Sequence, residues 1–109
     1  MGAIEVSAGL LAEAKNYLDI TWADAEEETK LSGQIRRGIA YITAKTGVPN
    51  TAFGSDAADY DPRAQELLFN YLLYDRAGSA DQFRANYASD INGLRMRQEV
   101  ANHAANAEG

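Results

Sequence analysis

The sequence predicts an all-α fold: a small four-helix domain with a long loop between helices 2 and 3. Three observations point there. Apolar residues recur at three- and four-residue spacing along most of the chain, and the alternation of a half-buried strand is scarce. Alanine is abundant, and only two prolines, Pro49 and Pro62, interrupt the pattern. Cap and stop residues bracket the periodic stretches where helices should begin and end. At 109 residues the chain has the size of one domain. The core is expected over residues 8–97, with residues 98–109 a weakly structured tail.

The first helix is expected from Ala8 to Leu18, behind Ser7 as N-cap, with Leu10, Leu11, Ala14, Tyr17 and Leu18 on one stripe. The second runs from Ala23 to Lys45 on a stripe of Leu31, Ile35, Ile39 and Ile42. Gly47 stops it, and Pro49 follows. Gly33 and Gly38 lie inside this helix, where each costs about 1 kcal/mol relative to alanine. A close approach by another helix is the expected reason.

The third helix starts at Asp61, an N-cap, followed by Pro62 in the first turn. From Ala64 to Ala77 it is apolar on two sides, one of Leu67, Leu68, Tyr71 and Leu72 and another of Phe69 and Leu73. Such a helix is central or faces a partner. Gly78 ends it. The fourth opens near Ser79, with Gln82 completing a capping box, and continues through Phe83, Tyr87, Ile91 and Leu94. Beyond Leu94 the pattern thins into ANHAANAEG, a segment expected to fray or to be ordered by a neighbour. The fifteen residues 47–61 form a long link, expected to be functional or mobile, that carries Phe53 and Tyr60.

Composition removes several function classes. With 46% hydrophobic and 24% charged residues, the chain is too apolar for disorder and too polar for a membrane protein. No run approaches the roughly 20 apolar residues of a membrane span, and no signal peptide is expected at the N-terminus. The absence of cysteine excludes disulfides, thiolate metal sites and a cysteine nucleophile, and fits a reducing cytoplasm. A net charge of −6 argues against tight nucleic-acid binding through a basic patch. It suits a surface past which DNA slides without sticking.

The most conspicuous polar stretch is LDITWADAEEE, residues 18–28. A carboxylate metal site on a helix needs ligands on one face, typically with a Glu-x-x-His spacing. Glu26, Glu27 and Glu28 are consecutive and fan out by about 100° each. No histidine is near. The acids are better explained as complements to the helix macrodipole, with Thr21-x-x-Asp24 and Asp24-x-x-Glu27 resembling capping boxes. Trp22, the only tryptophan, is expected to pack at the hinge with Ile20. His103, the only histidine, has no partners in sequence and is read as a solvated surface residue. No phosphate-binding, hydrolase or metalloprotease motif occurs. No enzyme, cofactor or metal is expected. Arg36-Arg37 and Arg95-x-Arg97 are small basic spots, either solvated or suited to pairing with acidic faces of neighbouring copies or to contacting phosphate. Tyr41, Tyr60, Tyr71, Tyr74 and Tyr87 exceed what a core this size buries comfortably, which suggests an interface.

The stretch LLAEAKNYLDITWADAEEETKLSGQIRRGIAYITAKTG resembles the opening of the phage head–tail connector (neck adaptor) family. The matching features are a short helix ending in Leu18-Asp19-Ile20, the acids Asp24 to Glu28, and a second helix ending in Thr46-Gly47. The resemblance continues through Asp61-Pro62, the Leu67–Tyr74 helix, Phe83, Tyr87, Ile91 and Leu94-Arg95, and so spans residues 8–97. It implies a non-enzymatic helical adaptor, made in the bacterial host cytoplasm and placed in the virion neck. It also implies a homo-oligomeric ring, expected to be twelve-fold, beneath the portal protein. That ring would extend the DNA channel, let DNA pass through without sequence-specific binding, and dock the next neck or tail-completion protein. No membrane is involved. Phe53, Tyr60, Tyr74, Arg95 and Arg97 are the expected interface residues. A small non-enzymatic interaction module of mobile-element origin is the alternative, and a metalloenzyme built on Glu26 to Glu28 is a third reading.

Overall fold

The computed structural model describes residues 4–21 and 24–108, which leaves Trp22 and its expected hinge packing outside the described residues. These residues are all-helical. Five α-helices, α1 (Ala8–Tyr17), α2 (Ala25–Thr46), α3 (Pro62–Arg76), α4 (Ala80–Asn86) and α5 (Ala88–Glu108), are joined by a 3₁₀ turn at Asn50–Ala52. The count is one more than the periodicity predicts, because the fourth expected helix is broken at Tyr87 (φ −112°, ψ 12°). Phe83, Tyr87, Ile91 and Leu94 keep helical spacing across the break, so the pattern passes over it unmarked. The break redirects the chain: α4 packs on α3, and α5 then runs against α2.

Local chemistry sets the helix ends. The Ser7 hydroxyl accepts from Leu10 N at 3.0 Å and starts α1. Asp24 caps α2, its carboxylate accepting from Glu26 N at 2.8 Å and Glu27 N at 3.3 Å. Asp61 does the same for α3, accepting from Arg63 N at 3.0 Å and Ala64 N at 3.4 Å. Gly47 leaves α2 in the left-handed region at φ 82°. Ser79 holds the N-cap position of α4, but its side chain makes no capping bond. The expected capping box is replaced by a backbone turn in which Gln82 N donates to Ser79 O at 2.9 Å. α1 ends at Asp19, a non-glycine residue at φ 59°. Ile20 N there donates to Lys15 O at 2.8 Å, closing a Schellman-type end with Ile20 turned onto the core.

α2 is the central element. Leu31, Ile35, Ile39 and Ile42 are fully buried along it, against Leu67, Leu68 and Leu72 of α3 and Leu94 of α5. The two interior glycines divide. A Cβ on Gly38 would lie 2.6 Å from Leu68 Cδ1 and 2.9 Å from Tyr71 Cδ1, so the helices meet where only glycine fits. A Cβ on Gly33 would meet nothing closer than Arg37 Nη1 at 3.7 Å, and there the expected packing reason does not hold.

The long link is built in. Val48, Ala52 and Phe53 are buried, Asp61 N donates to Ala52 O at 2.9 Å, and Asp59 N donates to Thr51 O at 3.2 Å. Gln65, buried on α3, accepts from Gly54 N at 2.6 Å. Glu13 of α1 accepts from Ser55 N at 3.0 Å. At the other end of the chain, α5 stays helical to Glu108, past the expected end of the core at residue 97, although residues 99–103 are exposed.

The glycines give opposite predictions. Gly33→Ala should raise stability by up to about 1 kcal/mol through helix propensity alone. Gly38→Ala should lower it by about 1–3 kcal/mol through overpacking. Urea unfolding midpoints at constant m-value will show the two signs.

Candidate functional site

The acidic run resolves into helix chemistry. Asp24 is a cap, Glu28 pairs with Lys15 of α1, and Glu27 lies 3.5 Å from Lys30 Nζ. Among the described residues no group of three His, Cys, Asp or Glu is placed to hold a metal ion. His103 is exposed on α5.

The tyrosines are used internally. Phe83, fully buried, is the node of an aromatic cluster: Tyr87 stacks on it at 5.0 Å, and Tyr71 and Tyr74 meet it edge-on at 5.5 and 6.0 Å. Tyr41 of α2 joins at 6.3 Å and stacks on Tyr71 at 5.9 Å. Asn70 on α3 gathers two hydroxyls, accepting from Tyr87 at 3.1 Å and from Tyr17 of α1 at 3.3 Å. The Tyr17 ring covers Phe69 at 5.2 Å, which closes the second apolar side of α3 except at Leu73. The half-exposed tyrosines therefore join helices to each other, so their number alone is a weaker interface signal than composition suggests.

The five expected interface residues scatter. Phe53 is 5% exposed and belongs to the core, so it is withdrawn from the surface. Tyr60 is 38% exposed at the end of the link. Tyr74 sits in the aromatic cluster, its hydroxyl accepting from Asn86 at 3.3 Å. Arg97 is drawn onto Asp61, tying α5 to the start of α3. Arg95 is exposed, and among the described residues its one side-chain bond is to the neutral Asn92 Oδ1 at 2.7 Å. The surface also carries apolar residues: Leu73, from the second apolar side expected for the third helix, and Met96 and Val100 are all about half exposed or more, with Val100 at 69%.

The concavities are shallow. One open groove of about 350 Å³ is lined by Tyr41, Lys45, Arg84, Ile91, Asn92 and Arg95. Its floor is apolar and its rim cationic. Lys45 Nζ stands 5.9 Å from the centre of the Tyr41 ring. Of its three cations only Arg95 was among the expected interface residues, because the three lie on three helices. No helix of the described residues is long and apolar enough to cross a membrane. No family model, curated protein or solved structure matches the chain.

Two predictions follow from these contacts. Asp61→Ala removes a helix cap and the partner of Arg97, and should cost about 1–2 kcal/mol. Arg97→Ala removes only a half-exposed ion pair and should cost less than about 1 kcal/mol. Paired denaturant titrations will rank them.

Burial, and then Asp75, push the Tyr71 hydroxyl above its ordinary value of 10.0. The neutral phenol is thus favoured more in the folded chain than in the unfolded one. The resulting stability is complete below the unfolded value and is lost as pH rises through the folded one. Thermal stability should fall as pH is raised past about 10, and Tyr71→Phe should flatten that decline.

Proposed function

We propose that this chain is a structural, non-enzymatic head–tail connector subunit of a tailed phage or prophage. In this reading it forms a ring below the portal, expected to be twelve-fold. The ring lines the continuation of the DNA channel and docks the next neck or tail-completion component. It would be made in the host cytoplasm and reside in the virion neck.

The observation that carries the reading is where the residues of the resemblance lie. Leu18-Asp19-Ile20 is the left-handed end of α1, Asp24 is the cap of α2, and Thr46-Gly47 is its stop. Asp61-Pro62 is the cap and first turn of α3, and Phe83 and Leu94 are buried. The shared features are thus the joints and core positions that define the domain, which favours a common fold over a chance run of similar letters. The net charge of −6 suits a wall that DNA must pass without adhering. Exposed Leu73, Met96 and Val100 offer apolar contacts for assembly.

Light scattering across a concentration series, with negative-stain imaging, tests the reading. Annular particles in solution, or retention of the protein by portal-bearing heads, is the expected result. A strict monomer at every concentration that portal-bearing heads fail to retain would defeat it.

A further inference from the structure

The groove between the C-terminal end of α2 and helices α4 and α5 is an island of positive charge on an acidic protein. Lys45, Arg84 and Arg95 line it, three of the ten Lys and Arg residues in a chain of net charge −6, and no carboxylate does. Among the described residues, none of the three is paired with a buried acid. Arg84 pairs with Asp81, whose side chain is 91% exposed. Arg95 bonds the neutral Asn92, and Lys45 rests over the Tyr41 ring. Tyr41 and Ile91 add an apolar floor.

The opposite charge lies at the other end of the same helix. Glu26, Glu27 and Glu28 occupy the first turn of α2. Glu26 is exposed and has no ion-pair partner among the described residues, while Glu27 holds only a 3.5 Å contact to the exposed Lys30. From Asp24 to Lys45 the helix spans about 31 Å at 1.5 Å per residue. That is several Debye lengths at physiological salt, so the two ends of one chain do not satisfy each other.

We infer that the Lys45–Arg84–Arg95 groove receives the acidic first turn of α2, at Glu26 and Glu27, from a second copy of this chain. This deepens the connector reading and rests on it. Because the two surfaces are different and far apart, the contact is head-to-tail, and repetition of such a contact closes into a ring or runs on as a filament. Tyr41 and Ile91 would cover the methylene stems of the incoming glutamates, and the three cations would take their carboxylates.

Charge reversal tests this with the full chain. One variant carries Lys45→Glu, Arg84→Glu and Arg95→Glu; the other carries Glu26→Lys and Glu27→Lys. All five side chains lie on the surface, and circular dichroism will verify that both variants fold. Each variant alone should need about tenfold or more protein to assemble, since like charges then face each other. Mixed in equal amounts, the two present opposite charges at both kinds of contact, and assembly should return. Misfolded chains would not recover on mixing.

If wild type forms rings and both variants form them equally well, the groove assignment is overturned while the connector reading stands. If wild type never assembles, alone or on portal-bearing heads, both fall. If groove reversal abolishes binding of a short DNA duplex and leaves assembly unchanged, the groove serves nucleic acid and the assignment is likewise overturned.

Discussion

The fold depends on the close crossing of α2 and α3 at Gly38. With no side chain at that position, Leu68 and Tyr71 press directly onto the backbone of α2. Close approach lets the buried Leu31, Ile35, Ile39 and Ile42 share one core with residues of α3 and α5. It also fixes the place of Tyr71, and with it the aromatic cluster around Phe83 that holds α4. A residue with a Cβ there would push on both helices at once, in an interior too densely packed to absorb the shift.

Around that crossing the remaining elements are held by polar contacts of long sequence reach. Gln65 fixes the link through the Gly54 amide, and Glu13 fixes it again from α1 through Ser55. Asn70 ties α1 to the α4–α5 junction through two tyrosine hydroxyls. The described residues leave no buried side-chain polar atom without a partner. A small core with few layers gains specificity from such satisfied contacts, because alternative packings would leave some of them broken.

Most helix boundaries were legible because capping is local: Ser7, Asp24, Asp61 and Gly47 each act within a few residues of themselves. Gly33 and Gly38 looked alike because spacing does not reveal which face another helix crosses. The burial of Phe53 was hidden because the link that carries it is folded by distant contacts, such as that of the Gly54 amide with Gln65, eleven residues further along the chain. Arg97 read as a free cation because its partner, Asp61, is 36 residues away. The break at Tyr87 was invisible to a period it does not disturb. The groove was illegible for a related reason: Lys45, Arg84 and Arg95 become one feature only when α2, α4 and α5 are brought side by side.

The contact between Arg97 and Asp61 also has a mechanical meaning. It fastens α5 near its middle to the residue that starts α3 and, through the Asp61 amide, to the link at Ala52. The portion of α5 beyond Arg97 is a stiff arm about 16 Å long, with Val100 exposed along it. One carboxylate thus serves two helices at once: it caps the start of α3 and holds the middle of α5, so any change at Asp61 is felt at both.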